Sequence, residues 1–217
     1  MKRAFFLFSA LALVLLVSAC ASKNKGNEKP AEVLAQEGMA AYDKGDYTVA
    51  IQAFETLRDW YPFSKFIPLA ELKIADSHFA KEEYDEAIVG YEQFEKMHPS
   101  NEAVPYVIHQ IGMAYFKQRR SPDRDQSPSE NALAAFSRLR SQFPDSPYSA
   151  QCADEMRECL RLMAEHDLLI GEFYYRQDKY EAALARFEKV VEKYEDTGVH
   201  KQALDYIEKT RARMAKN

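Results

Sequence analysis

The sequence predicts an all-α fold: a right-handed solenoid of four helix pairs closed by a single C-terminal capping helix. Three observations predict it. First, Ala50, Phe54, Leu57 and Pro62 return 37 residues later as Ala87, Tyr91, Phe94 and Pro99, and a fixed period of this size is that of a helix-turn-helix repeat. Second, a small residue precedes each of these alanines by twelve positions, Gly38 before Ala50 and Ala75 before Ala87; two antiparallel helices approach closely only where side chains are small. Third, the 217-residue chain is 47% hydrophobic and holds just seven glycines, with few runs of alternating polarity, which favours helix over strand. No single pair buries its apolar face alone, so stacking stabilises the array.

Ahead of the array, Lys2 and Arg3 precede an apolar run from Ala4 to Ala19. At 16 residues the run falls short of the roughly 20 needed to span a bilayer as a helix, so residues 1–19 are expected to be a secretory signal peptide. Val17-Ser18-Ala19-Cys20 resembles the lipobox of bacterial lipoproteins. The resemblance implies that Cys20 becomes the acylated N-terminus of the mature chain, with no other cofactor expected. The alternative is an ordinary signal peptide followed by an incidental cysteine. Acyl chains contribute about 0.8 kcal/mol per buried CH2, so several on one residue hold a soluble domain at a membrane. Ala21 stands where lipoproteins retained in the inner membrane usually carry Asp, which implies an address at the outer membrane, on its periplasmic side. Loss of Lys2 and Arg3 takes the formal charge from −5 to −7. Residues 20–31 complete the anchor region, and Ser22 to Pro30, SKNKGNEKP, reads as a flexible tether reaching at most roughly 35 Å.

The solenoid is expected over residues 32–217, and its pattern resembles the tetratricopeptide repeat (TPR). Repeat one, residues 32–64, carries Gly38, Tyr42, Ala50, Phe54, Leu57 and Pro62; repeat two, residues 65–100, carries Ala75, Phe79, Ala87, Tyr91, Phe94 and Pro99. Repeat three, residues 101–145, carries Gly112, Tyr115, Ala132, Phe136, Leu139 and Pro144, its small pair twenty apart, so eight residues are inserted. Repeat four, residues 147–196, restores the spacing with Gly171 and Ala183, together with Tyr174, Phe187 and Val190, and places Glu195 where proline would be. Residues 198–215, with Ala203, Leu204, Ile207 and Met214, form the cap. Between Pro147 and Arg176 there is no further proline and no glycine before Gly171. A single helix of about thirty residues, roughly 45 Å long, is therefore expected, with Ser146 as N-cap and Pro147 at its first position. Cys152 and Cys159 share one face of it, about 10 Å apart along the axis. That is too far for a disulfide, and both are read as small buried hydrophobes.

Arg119 to Glu130, RRSPDRDQSPSE, is a charged, proline-containing loop between the two helices of repeat three. Ser127-Pro128-Ser129-Glu130 is expected to open the second of them as a capping box with Pro at its first position. A lipobox, a polar tether, a TPR array with Tyr61-Pro62-Phe63 closing the first repeat, and Asp123-Arg124-Asp125 in the insert together resemble the BamD family. These are lipoproteins of the bacterial outer-membrane β-barrel assembly (BAM) machinery. The resemblance implies a non-enzymatic adaptor, lipid-anchored in the cell outer membrane, that binds the insertase BamA through its C-terminal repeats alongside other BAM lipoproteins. It further implies that the N-terminal repeats recognise C-terminal segments of unfolded outer-membrane proteins. The family is usually described with five repeats; this chain has four and a single helix. The alternatives are a TPR lipoprotein scaffold of another envelope machine, such as pilus or secretin assembly, and an accessory subunit of a periplasmic enzyme.

By the same register the concave face is lined by Met39, Tyr42, Leu72, Asp76, Phe79, Tyr106, His109, Met113 and Phe116. This surface reads either as a trough for an extended apolar-aromatic peptide or as residues packed on one another or on the N-terminal segment. Arg157, Arg161, Arg176 and Arg186 suit carboxylate partners, because guanidinium binds them bidentately, and are expected to meet acidic residues of BamA. A pI near 5.6 gives no basic footprint for nucleic acid. There is no Gly-rich phosphate loop, no His-x-x-x-His, no Cys-x-x-Cys, and the five histidines are scattered, so neither a metal site nor a catalytic site is expected.

Overall fold

The computed structural model describes residues 29–195 and 197–216. The expected signal peptide, Cys20 and most of the tether lie outside the described residues. Within them the chain forms ten helices and no strand: α1 (Ala31–Asp43), α2 (Tyr47–Trp60), α3 (Ile67–Ala80), α4 (Tyr84–Met97), α5 (Val104–Lys117), α6 (Ser127–Gln142), α7 (Pro147–Gln151), α8 (Ala153–Arg176), α9 (Tyr180–Lys193) and α10 (His200–Met214). Each packs on the next in chain order, giving the pairs α1/α2, α3/α4, α5/α6 and α8/α9, with α10 as the cap.

The small positions work as their spacing implies. A Cβ placed on Gly38 would stand 2.7 Å from the ring of Phe54, and Gly112 and Gly171 are held equally close to Phe136 and Phe187. Repeat two reverses the arrangement: Ala75 takes the small position of α3, and Gly90 of α4 gives way to it, its own absent Cβ lying 2.9 Å from that of Ala75. The rings at the crossing, Phe54, Tyr91, Phe136 and Phe187, are all buried.

Two kinds of turn alternate along the stack. Within repeats one, two and four the chain reverses through a left-handed residue at one equivalent position, Gly45 (φ 80°), Glu82 (φ 63°) and Asp178 (φ 55°). At the other edge, Tyr61, His98, Phe143 and Tyr194 end their helices with φ between −128° and −133° and ψ between 53° and 66°. The fourth does so with Glu195 following it, so proline accompanies this stop without being required for it.

Two expectations need correction. The helix expected from Pro147 to Arg176 is two helices, broken at Cys152, whose φ −89° and ψ 7° are not helical. Ser149, buried in α7, donates its hydroxyl to the Phe143 carbonyl at 2.6 Å, tying α7 to the end of α6, and Cys152 lets α8 leave on its own axis. The Ser146 cap with Pro147 behind it is as expected. The capping box is not: α6 begins one residue earlier, with Gln126 as N-cap. Ser127 donates through both its backbone N–H and its hydroxyl to Asp125.

The break shifts repeat four along its axis. Cys152 and Cys159 belong to the core of repeat three with Phe136 and Leu139, whereas Ala164 and Leu168 belong to the core of repeat four with Phe187 and Val190. The C-terminal half of α8 therefore runs on past α6. Two residues beyond the small position, Ser77 of α3 and Ala114 of α5 are fully buried in the stack, while Phe173 of α8 is 52% exposed.

Candidate partner-binding surfaces

Most of the residues expected to line the concave face are half-buried rather than open, and they are distributed over three cores. Met39 and Tyr42 pack on the first core, Leu72, Phe79 and Tyr106 on the core of repeat two, and Met113 and Phe116 on that of repeat three. Tyr42 meets Tyr47 edge-on and Phe79 meets Tyr84 likewise, and the pair recurs in repeat four as Tyr175 with Tyr180. In repeat three a serine, Ser129, stands where the second ring would be, and the Arg119 guanidinium lies 4.1 Å over Phe116 instead. Cations also cover Tyr42, whose ring has the Lys73 ammonium 4.3 Å above it, an arrangement attractive through the ring quadrupole.

Asp76 is not a groove-lining acid. It is 3% exposed and accepts hydrogen bonds from Tyr91 and Tyr106, both at 2.8 Å, and from Lys73 at 2.8 Å. Three helices, α3, α4 and α5, thus meet on one carboxylate, and burial with the neighbouring Asp76 charge raises both tyrosine pKa values far above the ordinary phenol. His109 sits between the rings of Phe136 and Tyr148, where desolvation lowers its pKa.

The insert of repeat three is ordered by a residue outside the expected motif. Gln126 is buried and donates to the carbonyls of Ser121 and Arg124 while accepting from Ser129. Around it Asp123 accepts from Ser121, and hydrogen bonds from Ser127 hold the Asp125 carboxyl below its ordinary pKa. Arg124 and both aspartates remain exposed. His166 of α8 donates from Nδ1 to the Pro122 carbonyl at 2.7 Å, so the insert is fastened to repeat four. Between them lies a polar cleft of about 130 Å³ that includes Asp125, His166, Asp167, Arg186 and Lys189.

The four arginines are paired within the chain. Arg157 meets Asp154, Arg161 bridges Glu158 and Glu165, and Arg176 stands 3.6 Å from Glu172. Arg186 and Lys189 of α9 both reach the buried Asp167 of α8 at 2.6 Å, joined by the Tyr194 hydroxyl. Arg186 is therefore a strut inside repeat four.

The largest exposed apolar side chains lie away from the groove. Leu169 and Phe173, one turn apart on α8, are open beyond the insert, and Trp60 and Phe63 flank the corner after α2. There Tyr61 donates its hydroxyl to the Lys29 carbonyl at 2.9 Å.

A family model described as outer membrane lipoprotein, YfiO, matches residues 27–217. The chain belongs to the YfiO family of outer membrane lipoproteins. Among curated relatives, the outer membrane protein assembly factor BamD of Vibrio cholerae is 26% identical over 205 residues, covering 90% of this chain and 85% of that protein. The BamD proteins of Neisseria gonorrhoeae (24%, covering 91% and 80%) and Rickettsia prowazekii (28%, covering 91% and 79%) are similar over the same extent. Among solved structures, a tetratricopeptide repeat protein from Parabacteroides merdae has a TM-score of 0.44 at 18% identity, covering 84% of this chain and 60% of that one. A TPR protein of Thermus thermophilus has a TM-score of 0.45 at 17% identity, covering 82% and 99%.

In this YfiO-family chain, sequence reasoning missed Asp167, His166 and the Leu169–Phe173 pair. Asp167 had a readable signal: an acid one turn before Gly171, on the face that must pack, calls for cationic partners. The exposure of Phe173 had none, since it follows from the axial shift at Cys152.

Proposed function

We propose that this protein is an outer-membrane protein assembly factor of the BamD type, a non-enzymatic scaffold held at the outer membrane by acylated Cys20 and facing the periplasm. Membership of the outer membrane lipoprotein family and BamD relatives along nine-tenths of the chain support the assembly role. The observation that carries the partner side is Phe173, open where Ser77 and Ala114 are buried. With Leu169 it makes an apolar shelf on the C-terminal repeats, bounded by the insert, and this shelf is the docking surface for BamA. Arg157 and Arg176, the more exposed of the four arginines, can exchange their weak surface pairs for carboxylates of BamA at its rim. The cation-covered aromatics at Tyr42 and Phe116 suit the C-terminal carboxylate and aromatic side chains of unfolded outer-membrane proteins.

The test is a pull-down of BamA on the lipidated chain, with Leu169→Ser/Phe173→Ser and Arg157→Ala/Arg176→Ala variants. Loss of BamA with the first pair is expected, and retention would remove the shelf from the account. Depletion of the protein should lower the level of outer-membrane barrels; unchanged levels would sink the assembly role. Titration with a peptide ending in Phe against Tyr42→Ala/Phe79→Ala checks the groove, where equal affinities would exclude it.

A further inference from the structure

We infer that the first inter-repeat corner of the solenoid is a lipid-seating device: Phe63 and Trp60 enter the interfacial layer of the membrane, flanked by Lys29 and Lys65. The inference rests on the proposed acyl anchor at Cys20. It adds that the folded body itself touches the bilayer, at one defined place.

The repeats provide an internal control. The corner after each of the first three pairs is the same turn, closed by Ser64 N–H on the Tyr61 carbonyl (2.9 Å), Asn101 on His98 (3.0 Å) and Ser146 on Phe143 (3.1 Å). Each has proline second in the turn, and the third residue at its outer bend is Phe63, Ser100 and Asp145 in turn, all three exposed. A solvated bend takes a polar residue there, as the second and third do; only the first carries an aromatic ring, and that ring is bare on every side. The last helical residue before each turn is graded in the same direction: Trp60, then Met97, then Gln142, all exposed. Apolar character at both positions is thus greatest at the first corner and fades along the stack.

The chain's route explains that direction. The Tyr61 hydroxyl holds the Lys29 carbonyl, so the segment leading back to Cys20 leaves the body at this corner. Eight residues separate Cys20 from Lys29, which confines the corner to within roughly 30 Å of the attached lipid. Two aromatic side chains are a weak membrane ligand alone, but a tether this short raises their effective concentration at the surface. Aromatic rings with an adjacent ammonium are the side chains that settle at headgroup level. Lys65, exposed beside the turn with its ammonium 5.1 Å over Phe66, and Lys29, with Glu37 as its partner, supply the cations for lipid phosphates.

Trp60 is the single tryptophan of the chain, so its fluorescence reads this corner and nothing else. The mature chain from Cys20 is coupled through that thiol to a maleimide-headgroup lipid in phosphatidylethanolamine–phosphatidylglycerol vesicles; Cys152 and Cys159 are buried and stay unlabelled. Emission of Trp60 is expected to shift to the blue against the uncoupled chain in buffer, and to be quenched at least twofold by lipids brominated on the acyl chains. Phe63→Ser, which removes a ring with no intramolecular packing to lose, should abolish most of that quenching while circular dichroism is unchanged. An emission spectrum identical to that in buffer, with no quenching, would overturn the inference. Shielding of Trp60 that needs added BAM proteins would overturn it too, making the corner a protein-facing surface. Flotation of the cell-derived chain with membranes, lost on Cys20→Ser, tests the acyl anchor separately, so the two readings fail independently.

Discussion

The Tyr91 hydroxyl donates to Oδ1 of Asp76 at 2.8 Å in the interior of repeat two, at the position where the other repeats bring Phe54, Phe136 and Phe187. The extra oxygen is matched by an extra acid, and Tyr106 and Lys73 complete its shell. Removing one donor leaves a buried carboxylate under-satisfied, which costs about 1–3 kcal/mol. Tyr91→Phe should therefore lower urea stability by that amount, although it restores the residue type of the other three repeats. A stabilised Tyr91→Phe variant would show that the network is not net favourable.

Glu82 adopts φ 63° at the turn where repeat one uses Gly45, and a side chain in the left-handed region costs about 1–2 kcal/mol. Its side chain is exposed, so Glu82→Gly removes strain without removing packing. After the added chain entropy of glycine is offset, a gain of up to about 1 kcal/mol is expected in thermal or urea unfolding. Gly45→Ala, at φ 80°, should lose about as much.

His109 is held neutral by its surroundings: desolvation among Phe136 and Tyr148 lowers its pKa, against Gln110 and the Glu155 charge, which raise it. A folded-state pKa below the unfolded one gives stability that is whole above the ordinary histidine value of 6.5 and is lost as pH falls below it toward the folded value. Unfolding free energy should accordingly fall from pH 7 to pH 5, and His109→Gln should flatten that slope relative to the parent chain. An unaltered slope would place the titration elsewhere.

Burial pushes the Cys159 thiol up to about 12 and raises that of Cys152 as well. With so little thiolate, neither reacts at neutral pH. In a chain acylated at Cys20, Ellman's reagent should find no thiol until denaturant is added, then two. Early labelling of either cysteine would mean that the α6–α8 junction opens in the native state.

How much of this was legible depended on what each residue answers to. Gly38, Gly112, Gly171 and their facing rings were readable because helix crossings impose a residue size at a fixed spacing. The buried fate of both cysteines was readable on another ground: an unpaired cysteine behaves as a small hydrophobe. Asp76 was misplaced onto the groove because periodicity gives a face but not a depth, and its donors Tyr91 and Tyr106 come 15 and 30 residues later. The break at Cys152 left no trace in composition, since neither proline nor glycine makes it. It arises from Ser149 capturing the Phe143 carbonyl, a contact between two elements. Gln126, the organiser of the insert, hid beside the more conspicuous charges of Asp123, Arg124 and Asp125.

Helix α8 finally bears on how the molecule transmits a disturbance. The first helices of repeats two and three serve two neighbouring cores across their width: the adjacent residues Ile74 and Ala75 of α3 belong to different cores, as do Val107 and Ile108 of α5. Helix α8 serves its two cores end to end, with Cys159 in one and Ala164 in the other. Between the third and fourth repeats, side-to-side stacking is therefore replaced in large part by the helix's own backbone, about 36 Å of it. The N-terminal half and the C-terminal half are joined like two blocks on one rod: a tilt imposed at either end is expected to reach the other through α8, with the Pro122–His166 hydrogen bond as its outrigger.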